Sequence, residues 1–203
     1  RHEQWVDRKV RAPKGKVERI IDVPMETPKS TVIVLFNQEM KYNLKDTYTI
    51  SLLGNILTTR YLKTIREEAG GTYSVGASGS ASREPYNNYS MFMTFECDPE
   101  KATGLKPLLY KEIDNVIAQG VTQEELDKVV KNTLKEAEQS KPHNAYWMST
   151  LMTYYKTGIN LDDPKNMEDL VSSITTKDIR DFAKKFFRKA DVVDLIFAGK
   201  KQQ

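Results

Sequence analysis

The sequence predicts an α+β domain: an antiparallel sheet with several helices packed on one side of it. Three observations carry that prediction. A run rich in β-branched residues, Thr31-Val-Ile-Val-Leu-Phe36, stands near the start, and an alternating run, Tyr89 to Cys97, stands in the middle. Other segments repeat apolar residues at three- and four-residue steps, the period of a helix with one buried face. These segments follow one another as strands, helix, hairpin, helices and a closing strand, which is the α+β order.

Taken along the chain, residues 1–15 are polar and basic, contain Pro13 and Gly15, and read as a lead-in arm. Residues 16–199 form the domain, and 200–203 a tail. Lys16 to Pro24 and Thr31 to Phe36 read as two strands separated by a turn region, Pro24-Met-Glu-Thr-Pro28. Tyr48, Leu52, Leu53, Ile56, Leu57 and Tyr61 then give a long helix its apolar face. Gly70-Gly71 stops it, because glycine readily takes the left-handed conformation that ends a helix.

Thr72 to Gly79 and Tyr89 to Cys97 read as hairpin strands joined through Ser82 to Asn88, which holds Pro85. In the second, Tyr89, Met91, Met93, Phe95 and Cys97 share one face; Ser90, Thr94 and Glu96 share the other, with Phe92 the exception. Leu105, Leu108, Leu109, Ile113, Val116 and Ile117 mark a helix closed by Gly120. Thr122-Gln-Glu-Glu125 is a capping box: the threonine bonds a backbone N–H, Glu125 reaches back, and Val121 can staple onto Leu126. The helix it opens carries Leu126, Val129, Val130, Leu134 and Ala137. Another spans roughly Asn144 to Lys156. A last helix starts at Thr175, with Ile174 and Ile179 as its staple and Phe182, Phe186 and Phe187 on its apolar side. Val192 to Phe197 reads as a buried final strand.

A length of 203 residues suits one domain with a proper core. Hydrophobic content of 39% and charged content of 29% are those of a soluble globular chain. The net charge is +3, with both signs interspersed, which speaks against a dedicated nucleic-acid binder. Lys184, Lys185, Arg188 and Lys189 do cluster, but they alternate with the phenylalanines as the solvated face of a helix. No apolar run approaches the ~20 residues that span a bilayer, and no signal peptide is visible. The first residue is Arg1 rather than Met, so the chain is expected to be a piece of something longer. Cys97 is the only cysteine, which excludes an internal disulfide and a multi-cysteine metal site. Low cysteine use fits the cytoplasm and leaves a periplasmic or envelope location open.

Metal chemistry finds little to work with. A catalytic zinc site needs about three protein ligands, usually with two histidines on one helix face. The chain has only His2, in the arm, and His143, beside Pro142, and no H-x-x-E-H or H-E-x-x-H motif. There is no G-x-S-x-G elbow, and Cys97 falls on the apolar side of its strand, where a thiol is inert. Gly76-x-x-Gly79 and Gly70-Gly71 lack the helix and lysine of a phosphate cradle. Glu67-Glu68 and Asp162-Asp163 are explained by solvent exposure.

One segment offers chemistry: Arg66-Glu-Glu-Ala-Gly70-Gly-Thr-Tyr73 puts an arginine at a helix end and a tyrosine at a strand start, joined by a glycine turn. A guanidinium and a phenol on adjacent elements can together hydrogen-bond a peptide carbonyl or stabilise negative charge developing on it. The plainer reading is an arginine favoured by the helix dipole and a tyrosine in a strand core.

At these residues the sequence resembles the insulinase/pitrilysin family of zinc peptidases, whose zinc motif is the inverted H-x-x-E-H. The C-terminal domains of that family carry R-x-x-x-G-x-x-Y between a long helix and a hairpin strand, matched by Arg66, Gly70 and Tyr73. A later G-[VIL]-[TS]-x-x-E-[LI] helix start is matched by Gly120-Val-Thr-Gln-Glu-Glu-Leu126, and Ile174-Thr-Thr-Lys-Asp-Ile179 before an aromatic helix also fits. Trp5 through Pro28 looks like the lead-in of a C-terminal repeat in a bacterial pitrilysin-like protease, and the whole resemblance covers roughly residues 16–199. The resemblance implies a substrate-binding C-terminal domain of a zinc endopeptidase, with two halves closing around a chamber. Zinc and its ligands would belong to an N-terminal zinc-binding domain, in the same chain or in a partner. Arg66 would hold the backbone of the peptide substrate, Tyr73 its carbonyl or oxyanion, and Gly70 the turn between them. The total loss of the zinc motif leaves no metal-site residue to carry over, so the isolated chain is expected to be inactive. The alternative is a catalytically inert scaffold or partner subunit of the same fold.

Overall fold

The apolar runs become strands of one five-stranded sheet in the computed structural model, which describes residues 6–68, 70, 72 and 74–201. The strands are β1 (Lys16–Met25), β2 (Ser30–Glu39), β3 (Ser74–Ser82), β4 (Asn88–Cys97) and β5 (Asp191–Lys201). Their order across the sheet is β1-β5-β2-β4-β3. Val34 of β2 stands opposite Met93 of β4 on one side and Asp194 of β5 on the other, both pairs antiparallel. β3 is antiparallel to β4, with Ala77 opposite Met93. Only the β1 edge departs from the expected antiparallel pattern, since β1 runs parallel to β5 with Lys16 opposite Val192. The two opening strands are therefore not neighbours. β5, the last strand made, inserts between them.

The first helix, α1 (Leu44–Tyr61), opens on Asn43, whose side chain accepts from Asp46 N at 2.7 Å. Beyond Tyr61 the chain continues as a π-helical stretch, Leu62–Glu68. There follow α2 (Ala102–Gln119) and α3 (Gln123–Ser140), then α4 (Asn144–Thr157), the short α5 (Glu168–Ser172) and α6 (Thr176–Phe187). The capping box expected from sequence forms, Thr122 with Glu125 at α3, and the structure adds a second, Thr175 with Asp178 at α6. The five-residue α5 is too short to show a helical period, and the sequence reading passed over it.

The helices cover one face of the sheet. Tyr89, Met91, Met93, Phe95 and Cys97 all point into that core at 0% exposure, while Phe92 on the opposite face is 40% exposed. Phe36 of β2 meets Phe187 of α6 edge to face, with ring centroids 5.0 Å apart. A buried ionic contact also joins the layers. Asp194, fully buried on β5, accepts from Lys106 Nζ at 3.0 Å and from Tyr110 Oη at 2.6 Å, both on α2. Lys106 also binds Glu18 on β1, so the one parallel edge strand is tied to the helix layer.

Candidate functional site

The candidate site grows from the way α1 lies on β3. A Cβ added at Gly79 would sit 2.0 Å from the carbonyl oxygen of Ile50, and one added at Gly54 2.7 Å from the nitrogen of Gly79. Helix and strand can approach this closely only because both side chains are hydrogen atoms. One turn further along, Thr58 Oγ1 accepts from Ala77 N at 2.8 Å and lies 3.0 Å from Ala77 O. That contact gives the outward-facing N–H of Ala77 a partner on an edge strand, where it would otherwise be free to pair with another chain.

The end of α1 is fixed by contacts of Tyr61 and Arg60. Tyr61, fully buried, donates from its hydroxyl to Leu109 O at 3.1 Å, with Met93 Sδ at 3.0 Å. Arg60 forms a two-pronged pair with Glu125, Nε to Oε1 at 2.7 Å and Nη2 to Oε2 at 2.9 Å, and also reaches Gly120 O at 3.2 Å. The hydrogen bond from Arg60 holds the Glu125 carboxyl below the usual carboxylate range. Glu125 thus closes the α3 capping box and anchors α1 at once. In the π-helical continuation Ile65 is fully buried.

Arg66 follows Ile65 on the exposed side of that continuation. Its side chain is exposed, and among the described residues its guanidinium has no ion-pair or hydrogen-bond partner. Arg66 lies within the π-helical stretch, a rare geometry that concentrates at functional positions. Gly70 has φ +56 with nothing within 4 Å of an added Cβ, so the backbone angle rather than space requires glycine there. Thr72 Oγ1 lies 2.7 Å from Ser74 O and 2.5 Å from Glu96 O, binding the entry of β3 to β4. Tyr73, Gly71, His2 and Trp5 lie outside the described residues.

His143 sits exposed at the start of α4 and makes no side-chain cap. Cys97 is a core thiol, pushed up to about 11 by burial and, secondarily, by the neighbouring Asp98. Among the described residues no group of three or more His, Cys, Asp or Glu side chains could hold a metal ion. No helix among them is long and apolar enough to cross a membrane. The sequence reading did not find Arg60. Its partner Glu125 was visible as a capping residue, but a pairing across 65 positions leaves no local signal.

Comparison with known proteins places this geometry. Residues 2–133 match the family described as the Peptidase M16 inactive domain. Over 125 residues the chain is 25% identical to the "Zinc protease PQQL-like" of Arabidopsis thaliana, a match covering 59% of this chain and 13% of that protein. The periplasmic protease PqqL of Escherichia coli superposes with a TM-score of 0.76 at 18% identity, over 93% of this chain and 21% of PqqL. A peptidase M16 inactive domain from Pseudomonas fluorescens gives 0.69 at 20% identity, over 94% of this chain and 45% of that one. These structures share the mixed α+β fold described above. The chain spans about an eighth of the curated relative it matches and less than half of either solved structure.

Proposed function

Because the chain belongs to the peptidase M16 inactive-domain family, we propose that it serves as the substrate-binding C-terminal domain of a zinc endopeptidase. In this reading Arg66 and Tyr73 contact the peptide near the bond that is cut. The observation that carries it is the exposed Arg66, set on a π-helical turn four residues before the left-handed Gly70. The R-x-x-x-G-x-x-Y spacing is retained in full. A domain kept only as scaffold has no need of an outward guanidinium on such a turn.

The described residues offer no ligand set for zinc, so no metal-dependent step is assigned to this chain. The zinc expected from the zinc-protease relative would be held by an N-terminal half, in the same chain or in a partner subunit. What this chain supplies is hydrogen-bond donation. The planar guanidinium of Arg66 grips a backbone carbonyl of the bound peptide, and the Tyr73 hydroxyl donates to the carbonyl that becomes an oxyanion. Such donors act strongly only where water is excluded, so closure of the two halves would complete the site.

The test is turnover by the full-length enzyme. Arg66→Ala and Tyr73→Phe are each expected to lower kcat/KM by ~10–1000-fold, the range for loss of one transition-state donor. Zinc content should stay unchanged in both. Unaltered kinetics in both variants would remove the assigned roles. A full-length protein that itself lacks zinc and activity would favour the inert scaffold instead.

A further inference from the structure

Arg60 stands in the last turn of α1, roughly one and a half turns before Arg66. Its half-buried guanidinium reaches three places in the neighbouring helices. These are Glu125 in the first turn of α3, the Gly120 carbonyl between α2 and α3, and Glu112 of α2, the last at 3.8 Å. Its backbone carbonyl is engaged as well, accepting from Thr64 Oγ1 at 3.0 Å across the passage from α-helix to π-helical stretch. Tyr61, the next residue, binds Leu109 O and points about 100° away around the helix. One anchor would leave the helix end free to turn about it; two on different sides fix the turn. Beyond that junction Ile65 is buried and Arg66 emerges into solvent.

We propose that Arg60 and Glu125 are positioning residues for Arg66, an inference that rests on the reading of Arg66 as a contact to the peptide substrate. By fixing the rotation of α1 where it passes into the π-helical stretch, the pair sets where the Arg66 guanidinium stands. The lever is long enough to matter. A side-chain tip about 6 Å from the helix axis moves about 1 Å when the helix turns by about 10°. A misplacement of that size, made far from the chemistry, can cost on the order of 100-fold in rate. Supporting residues must therefore hold a working side chain to a tolerance of that order. The π-helical geometry adds to the need, because a disfavoured backbone persists where its surroundings hold it.

Cohesion alone does not call for this arrangement. An apolar pair could join α1 to α3 as well, because desolvating two charges offsets much of their attraction. Two-pronged bonds differ from apolar contact in their geometric specificity, which selects one rotation of the helix. The place of the pair points the same way. Leu52, Leu53, Ile56 and Leu57 are buried and already pack the body of α1 against the core. The ionic brace stands instead at the end of the helix, where its period changes and Arg66 follows.

Peptide turnover by the full-length enzyme tests the inference. Arg60→Gln and Glu125→Gln should each lower kcat/KM about 10-fold, with zinc content unchanged. Tyr61 still holds the helix end in both, so the loss should be smaller than in Arg66→Ala. It should divide between kcat and KM as the Arg66→Ala loss does, a division that general destabilisation would not reproduce. In the Arg66→Ala background, Arg60→Gln should change kcat/KM by less than about 2-fold, because the guanidinium it positions is gone. Should Arg60→Gln not fold, Glu125→Gln in the same background decides. Thr175→Ala, which removes the α6 cap away from the junction, is the destabilised control and should turn over normally. Losses that multiply in the double variant, or an equal loss in Thr175→Ala, would overturn the inference. Impaired turnover in Arg66→Ala with normal turnover in Arg60→Gln and Glu125→Gln would remove it and leave the Arg66 reading standing. Unaltered kinetics in Arg66→Ala would remove that reading, and this inference with it.

Discussion

At the scale of single residues, Gly79 limits how close α1 can lie to the sheet. Its missing Cβ would overlap the Ile50 carbonyl at 2.0 Å, and backbone on both sides cannot swing away as a side chain would. Gly79→Ala must therefore lift α1 from β3, with an expected loss of about 1–3 kcal/mol, as for other overpacked interiors. Gly76, three residues earlier on the same strand, has nothing within 4 Å of an added Cβ. Gly76→Ala should be close to neutral in the same urea titration. Equal losses at the two positions would show that strand propensity, not the helix contact, sets the cost. Little of this contact was legible in the sequence. Gly79 was visible as part of a G-x-x-G pattern without a phosphate-cradle context, but that α1 crosses it and not Gly76 is a tertiary fact.

Among the elements, α1 and α3 are joined by Arg60 and Glu125, with side chains 18% and 25% exposed. The bond from Arg60 depresses the Glu125 carboxyl, so the folded form binds its proton less readily than the unfolded chain. The stabilisation is then fully present above the ordinary glutamate value near ~4.3. It is lost as pH falls through the lower folded value. Glu125→Gln should cost roughly 1–2 kcal/mol near neutral pH, the scale of a charge-assisted bond. The gap between parent and variant should narrow as unfolding is measured at progressively more acid pH. A gap that holds constant into strong acid would show that the pair does not carry it. The capping half of this device was readable, because Thr122 and Glu125 are three residues apart; the α1 half was not. Helix α4 teaches a similar lesson. Its existence followed from local sequence, but periodicity marks an apolar face without saying that Trp147, Leu151 and Tyr155 turn outward.

For the molecule as a whole, strand identities were more legible than strand neighbours. Each of the five strands left a local pattern, yet β5 pairs with β1 and β2 across more than 150 residues, and nothing local in Val192 to Phe197 names those partners. The motif at Arg66 was legible because its three positions span only eight residues at one helix–strand junction. The proposed boundary between arm and domain is open to direct measurement. Arg11 stacks over the Tyr86 ring at 3.8 Å, but otherwise pairs with Asp7 inside the arm itself. Asp191 at the start of β5 accepts from Gly15 N at 2.7 Å and Lys14 Nζ at 3.1 Å, so the last firm attachment lies at residues 14 and 15. If the described part of the arm, residues 6–13, is tied to the domain through this half-buried cation–π contact, removing residues 1–13 should cost about 0.5–2 kcal/mol. The dependence of stability on urea should keep its slope, because little surface is newly exposed. A loss of several kcal/mol, or a changed slope, would instead make the arm part of the folded domain.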